Sequence, residues 1–339
     1  MKSYVIQGAF GIDNLTEVDR PDPTPGPGQV LMKVRATSIN YRDLLMVKGG
    51  YNPKQPLPLI PFSDGAGEIV SVGDGVTRVK TGDRVTNCFF HAWTGGKPKA
   101  EEIGPNAMGG PRDGMLTQYI VLSEQFVVKF PDHLSFEEAA TLPCAALTAW
   151  SCLFRHGNLK PGETVLVLGT GGVSIAGLQL AKAAGASVIV TSSSDEKLAR
   201  AKALGADHGI NYKKEEAWSK AVRAATGGAG VDHVIEVGGV GTLEQSIRSC
   251  RMAGTISLVG ILAGPTSPLN LTLVLMQDIR IQGVFVGPRD SFEDMDRAIA
   301  KHKIKPVVDK VFPWKDAREA LRCVESGSHF GKVCITVID

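Results

Sequence analysis

The sequence predicts an α/β protein, in which a doubly wound six-stranded parallel sheet is joined to a β-rich domain. Two textures and one loop carry that expectation. Up to about residue 130 the chain is short apolar alternation cut by glycine and proline. After about residue 145 strands alternate with helices, and that order requires parallel pairing through right-handed crossovers. Between the first strand and helix of this second half lies a glycine-rich loop, "GTGGVS".

In the first texture, "VLMKVRATS" sets Val30, Met32, Val34 and Ala36 on one face of a strand. "EIVSVG" and "DRVTNCFF" read as further strands by the same period of two. The "SDGAG" stretch at 63–67 reads as a glycine turn before the second of these. Segment 95–115 is too polar and broken for either period and reads as a long surface loop. "PDHLSFEEAATLPCAALTAWSCLF" is helical by its Glu and Ala content and leads into the second texture.

Candidate strands there are 165–168, 187–192, 208–211, 232–237, 255–260 and 280–285, the number a complete dinucleotide-binding sheet needs. Val173, Ala176, Gly177, Leu180, Ala181 and Ala184 follow a helical spacing, and Gly185 sits where that helix would stop. The last part of the chain mixes the two textures, with helices at 290–301 and near 314–326 and a terminal strand in "GKVCITVI". It is expected to pack back onto the first domain.

Composition excludes several classes of function. With 37 basic against 35 acidic residues the formal charge is +2, which provides no broad footprint for nucleic acid or an anionic membrane. Apolar runs fall short of a membrane span, and the first residues break into Gly and Asp before any signal-peptide core develops, so a soluble cytoplasmic protein is expected. The six cysteines contain no C-x-x-C pair, which suggests neither a zinc knuckle nor a disulfide framework. Small molecules are the expected partners.

The loop in "VLVLGTGGVSIAGLQL" indicates which small molecule comes first. Gly169 would turn the chain out of its strand, and Gly171 would let the backbone approach a pyrophosphate. Amides at the head of the next helix, around Gly172 and Val173, would meet its charge. The third glycine of the G-x-G-x-x-G fingerprint is replaced by Ser174, a small departure at a position that governs helix-to-strand packing. At the end of the second strand an acidic residue would bind a ribose 2′-hydroxyl and repel a 2′-phosphate. Ser192 stands there instead; with Ser193, Lys197 and Tyr212 it could hold a phosphate, which favours NADP(H) and leaves NAD(H) possible. The opposing reading makes Lys197 a solvated helix residue and Asp195 a helix cap that disfavours phosphate.

Taken together, the β-rich first domain, "GTGGVS", "LPCAALTAW", "KALGAD", "VDHVIEVGG" and the closing "GKV" resemble the medium-chain dehydrogenase/reductase superfamily over essentially the whole chain. The resemblance implies a GroES-like catalytic domain at 1–145, a Rossmann domain at 146–288 and a catalytic-domain tail at 289–339. It also implies an active site in the interdomain cleft and a homodimer formed through the last strand of the nucleotide domain. Thr148 matches a position beside the nicotinamide, and backbone contacts to the cofactor are implied near Val237, Gly238, Gly260, Ile261 and Val286.

Zinc-dependent members hold their catalytic metal with an early Cys, a His-Glu pair and a junction Cys. Here those positions match Asn40, Ser63-Asp64 and Cys144, so no zinc is expected. The structural-zinc segment offers Cys88 alone, and His91 beside aromatics reads as a packed side chain. "SINYRDLLMVKGGY" is closer to the zinc-independent quinone oxidoreductases and enoyl reductases, and Tyr51 matches a tyrosine implicated as proton donor in some of the latter.

Without a metal, hydride transfer to a carbonyl lacks its Lewis acid, so a quinone or an activated C=C of an α,β-unsaturated carbonyl becomes the easier acceptor. Asn40 or a backbone amide would meet enolate charge, and Tyr51 or water would return the proton. Plainer readings stand beside these: Tyr51 as a cleft-lining aromatic, Asn40 as a turn residue, and Tyr41, Arg42 and Asp43 as cap and surface pair of a helix. Asp64 would orient Asn40 or a water, or satisfy the amides of its own turn. The alternatives for the whole protein are a metal-free alcohol or aldehyde dehydrogenase, and an NADPH-binding redox-responsive protein with little turnover.

Overall fold

The computed structural model describes residues 1–262, 264 and 269–338. The chain divides into two compact units, Met1–Leu147 with Gly287–Asp339, and Thr148–Val286.

The second unit is built on one six-stranded sheet. Its spatial order is His208–Asn211, Ser187–Ser192, Thr164–Leu168, Val231–Glu236, Cys250–Leu258 and Arg280–Gly283. Every neighbouring pair is parallel, and the chain order across the sheet is the doubly wound one with a switch point beside the first strand. Leu166, Leu168, Ile189, Val234 and Ile256 are buried together from successive strands, as expected of a sheet covered on both faces. The fifth strand starts at Cys250 rather than 255, and the sixth stops at Gly283 rather than 285. Helix Gly172–Ala183 ends at Ala184, and Gly185 follows at φ +82°, the left-handed exit that glycine adopts most easily. Where it crosses the sheet, an ideal Cβ on Gly177 would lie 2.7 Å from Ile235 Cδ1, so close helix-to-strand packing is set at 177 rather than at Ser174.

In the first unit, Lys2–Ile6 pairs with Leu15–Asp19, and a separate seven-stranded sheet carries the site. Its central strand, Gln29–Ile39, buries Val30, Met32, Val34 and Ala36 completely. That strand is flanked by Lys332–Thr336 and Asp64–Val72, both antiparallel to it. Lys332–Thr336 in turn receives Val308–Pro313 in parallel, an edge strand whose mixed "VDKVFP" carries no clean alternation. Helices Arg289–His302 and Ala317–Glu325 cover this unit.

Two expectations are corrected here. Residues 64–67 are not a turn: Asp64–Val72 is a continuous strand, and neither Gly65 nor Gly67 has positive φ. Gly67 is required by crowding, because an added Cβ would lie 2.1 Å from the Lys33 carbonyl oxygen of the neighbouring strand. The change of direction comes two residues before the strand's start at Asp64, where Phe62 sits fully buried at φ +72°. Likewise, segment 95–115 is not a plain surface loop. It contains helix Ala100–Ile103 and then folds inward, burying Met108 and Met115 in the same core as Phe62. No helix among the described residues is long and apolar enough to cross a membrane.

Candidate active site

Three strand ends meet in the first unit. The sheet register pairs Asp64 with Ser38 and Val333 with Ile39. Asn40, Asp64 and Lys332 are therefore brought side by side from three distant segments of sequence. Asn40 is the N-cap of helix Tyr41–Val47, and its backbone N–H donates to Asp43 Oδ2 at 2.8 Å. The Asn40 side chain points the other way. Its Oδ1 accepts from Lys332 Nζ at 2.5 Å, and its Nδ2 donates to Ser63 Oγ at 3.2 Å.

Ser63 Oγ donates in turn to Asp64 Oδ1 at 2.7 Å, and Asp64 Oδ2 accepts the backbone N–H of Cys144 at 3.0 Å. Asp64 is completely buried, and loss of water pushes its carboxyl up to about 6 against the opposing pull of the Lys332 ammonium. Its expected role for its own turn falls elsewhere, since the Gly65 amide donates to Asn87 Oδ1 at 2.9 Å. Asp43 is also fully buried and accepts the Ser63 amide at 3.2 Å. Arg42 pairs with Asp43 at 3.1 Å and donates to the Met108 and Gly110 carbonyls. These are interior contacts, so the surface pair expected for Arg42 and Asp43 is corrected: both are anchored under the folded-in 107–110 segment.

Tyr51 is not bonded to Asn40 or Asp64. It is about half exposed, and its ring lies 4.8 Å from the Arg42 guanidinium, which connects it to the cluster through Asp43. His91 packs against Phe126 with ring centroids 4.8 Å apart, and burial pulls its pKa down to about 4.

Lys332 is the residue that sequence reasoning missed. It reads as the ordinary start of a terminal strand, yet Lys332, Val333, Cys334 and Ile335 are all buried. A lysine opening an apolar run that is buried on both faces, with no alternation, is the signal that could have found it.

In the second unit the glycine loop opens at the end of strand Thr164–Leu168. Gly169 has φ +73° and donates its N–H to Thr191 Oγ1 at 3.3 Å, tying the loop to the tip of the next strand. Gly171 is the N-cap of helix Gly172–Ala183 and offers no side-chain cap, so first-turn amides at Gly172 and Val173 face outward without an intrahelical acceptor. An ideal Cβ on Gly169 or Gly171 would meet nothing within 4 Å, which leaves open space where a phosphate would approach. Ser174 fits below that space, donating from Oγ to the Leu168 carbonyl at 2.6 Å.

Ser192 ends its strand buried, with Ser193 next in the chain; its Oγ accepts the Ser194 amide at 3.3 Å. Ser194, not Asp195, caps the following helix, accepting from the Lys197 amide. Asp195 is instead engaged by Asn211 Nδ2 at 2.7 Å and Lys214 at 2.6 Å. Tyr212 donates its N–H to the Ser192 carbonyl at 3.0 Å, so these two predicted residues are neighbours. Gly260 packs on Val237: a Cβ at 260 would lie 2.5 Å from the Val237 carbonyl oxygen. The Gly238 amide is already taken by Glu236 Oε1 at 2.7 Å. Ile261 is exposed, whereas Thr148 and Val286 are buried.

The fold and these two constellations define an oxidoreductase of the dinucleotide-dependent kind, and comparison with known proteins narrows the class. A family model described as "Zinc-binding dehydrogenase" matches residues 172–301, and one described as "Alcohol dehydrogenase GroES-like domain" matches residues 26–132. The chain is 47% identical to a zinc-type alcohol dehydrogenase-like protein of Schizosaccharomyces pombe, covering 98% of this chain and 99% of that protein. It is 31% identical to an acryloyl-coenzyme A reductase of Metallosphaera sedula over 99% and 100% of the two chains. A solved structure of a putative alcohol dehydrogenase from Sinorhizobium meliloti superposes with a TM-score of 0.93 at 39% identity, over 99% and 98% of the chains. The chain belongs to the medium-chain dehydrogenase/reductase superfamily.

The zinc in the description of one matching family calls for a donor set that this chain does not present. Catalytic zinc needs three nitrogen, thiolate or carboxylate ligands and an open position. Asn40 is an amide already holding an ammonium, and Ser63 is a hydroxyl engaged with Asp64. Of the matching residues only Cys144 and Asp64 carry groups that ligate zinc, and both Asp64 oxygens are engaged, by Ser63 Oγ and by the Cys144 amide. The three matching positions do not fit a zinc ion, and no group of three or more His, Cys, Asp or Glu suited to a metal occurs among the described residues.

Proposed function

We propose that this protein is an NADPH-dependent reductase that transfers hydride, without zinc, to quinones or to the activated C=C of α,β-unsaturated carbonyls. The observation that carries the reading is the polar cluster itself: the positions matching a zinc site hold Asn40, Ser63 and Asp64, closed by the ammonium of Lys332. Such a cluster has no Lewis acid to polarise an alcohol or aldehyde oxygen strongly, but it has N–H donors suited to the diffuse charge of an enolate.

The dinucleotide supplies the hydride when bound. Gly169, Gly171, Gly172 and Val173 would hold its pyrophosphate by backbone amides, with Thr148, Val237, Gly238, Gly260, Ile261 and Val286 along its length. The absence of an acid at Ser192, and the engagement of Asp195 by Asn211 and Lys214, support NADPH over NADH, with Ser193, Lys197 and Tyr212 completing the phosphate contacts. Asn40 would meet the developing charge, Asp64 would hold Ser63 and through it Asn40, and Tyr51 or water would deliver the proton. The similarity to a protein named as an acryloyl-coenzyme A reductase is in keeping with this acceptor class.

A second reading, an alcohol or aldehyde dehydrogenase of the same superfamily, is in keeping with the names of other relatives. One experiment separates them: oxidation of NADPH and NADH followed against a quinone, an enone, an enoyl thioester and an aldehyde, with metal analysis of the same sample. NADPH-dependent reduction of the first three without stoichiometric zinc is expected. Steady turnover of simple alcohols without added metal would overturn it, and cofactor binding with no oxidation across the panel would favour a redox-responsive binding protein.

A homodimer is proposed alongside. Strand Arg280–Gly283 is the edge of the nucleotide sheet, and Leu275, Met276 and Phe285 near it in sequence are largely exposed. Light scattering should give twice the chain mass of 36.0 kDa; a monomer at micromolar concentration would remove this proposal.

A further inference from the structure

We infer that Lys332 is a positioning residue that fixes and polarises the amide of Asn40, an inference that rests on the reading of Asn40 as the donor to enolate charge. An asparagine amide in isolation can present its oxygen or its nitrogen to a given neighbour. Here one choice is forced. The Lys332 ammonium has three N–H donors and no acceptor, it is buried, and it lies 2.5 Å from Oδ1 and 2.6 Å from the Ile39 carbonyl oxygen. Turning the amide over would set N–H against N–H in the interior, leaving a buried cation short of an acceptor, which is among the costlier arrangements in a protein.

With Oδ1 held, Nδ2 must face Ser63, and the order of donors is then fixed along the whole line. Lys332 Nζ donates to Asn40 Oδ1, Asn40 Nδ2 to Ser63 Oγ, and Ser63 Oγ to Asp64 Oδ1. Every bond points from the cation to the carboxyl group. Such an aligned chain polarises its members cooperatively. An ammonium on the amide oxygen draws electron density from the nitrogen and strengthens its N–H donors, one of which is given to Ser63 Oγ. Lys332 thus does by charge on the far side of an amide part of what a metal does by direct contact. Its own position is set by the strand register that pairs Val333 with Ile39.

The test is a double-mutant cycle on the full-length protein, read by turnover of an enone and by the KM for NADPH. Lys332→Met should lower kcat by about tenfold with the KM for NADPH unchanged. Asn40→Ala should lower kcat similarly, and the double variant should be no worse than Asn40→Ala alone. Multiplying losses, an unchanged kcat in folded Lys332→Met, or a loss confined to the KM for NADPH would each overturn the inference. If Lys332→Met does not fold, Asn40→Asp keeps a partner for Lys332 but has no N–H; it should stay folded and lose kcat as Asn40→Ala does, and full activity there would overturn it.

A high-resolution crystal structure of Lys332→Met, or of Lys332→Leu if only that variant folds, gives a readout that needs no turnover. The Asn40 amide should rotate and its bond to Ser63 be lost. An amide left in place would refute the inference even in a protein that reduces nothing, whereas inactivity of the wild-type protein with a rotated amide would refute only the proposed reaction.

Discussion

In the proposed reaction the glycine loop of the second unit and the polar cluster of the first would each present N–H groups to negative charge, by opposite means. The loop uses backbone amides of consecutive residues, and its essential feature is what it lacks: side chains at Gly169 and Gly171. The cluster uses side chains delivered by separate segments, and its essential feature is that every one is engaged, from Lys332 through Asn40 and Ser63 to Asp64. A site made of backbone is tolerant of its surroundings but intolerant of any Cβ. A site made of buried, mutually bonded side chains is the reverse: it tolerates no loss of a partner.

The sharpest way to break the comparison is to fill the loop. Gly171 has φ −79°, open to any residue, and nothing within 4 Å of an ideal Cβ. Gly171→Leu should therefore leave the thermal midpoint almost unchanged while weakening NADPH binding by about 1,000-fold, or ~4 kcal/mol. Calorimetric titration showing an affinity within threefold of wild type would remove the loop as the phosphate site.

The cluster should respond in the opposite sense. Asp43→Ala strands the amides of Asn40 and Ser63 and the guanidinium of Arg42. Breaking a buried pair in this way is expected to cost about 3 kcal/mol of folding stability, seen in urea as a lower midpoint at unchanged slope. A loss below about 1 kcal/mol would mean that water repairs the site, and the cluster would then be as forgiving as the loop.

The same contrast decides what could be read from sequence. The loop was legible because its parts are contiguous: strand, glycines and amphipathic helix follow one another, and Gly185 ends the helix where expected. So were the departures at Asn40, Ser63 and Asp64, once set against the superfamily's pattern. Lys332 was not legible, since 292 residues separate it from Asn40 and only the pairing of three strand ends brings them together. The character of 64–67 was misread for a related reason. The glycines there answer crowding from Lys33 and Met115 in other segments, and nothing local distinguishes that from a turn. The cap that the opposing reading put at Asp195 belongs to the residue before it, Ser194, an equally good capping type.

Specificity offers a smaller lever on the loop side. Ser192 ends the second strand, where a carboxylate would compete with a 2′-phosphate. Ser192→Asp should shift the ratio of kcat/KM for NADPH and NADH by about 30-fold toward NADH, ~2 kcal/mol. An unaltered ratio would place 2′-phosphate recognition elsewhere, Lys197 and Tyr212 being the first to examine.

On the cluster side the smallest effect belongs to Tyr51, and its size follows from where the side chain sits. General acids held in dry, preorganised sites contribute factors of about 100 or more. Tyr51 is 53% exposed and touches the cluster only by its face, against the Arg42 guanidinium. At such a site water can replace the phenol, so Tyr51→Phe should lower kcat by only about tenfold, ~1.4 kcal/mol, with NADPH affinity intact. Phenylalanine keeps the ring over Arg42, so the variant removes the hydroxyl and little else. A solvent isotope effect on kcat that grows in Tyr51→Phe would show proton delivery becoming slower and passing to water. Full activity with an unchanged isotope effect would take Tyr51 out of the reaction and leave it a rim residue shielding Arg42, with proton delivery left to solvent.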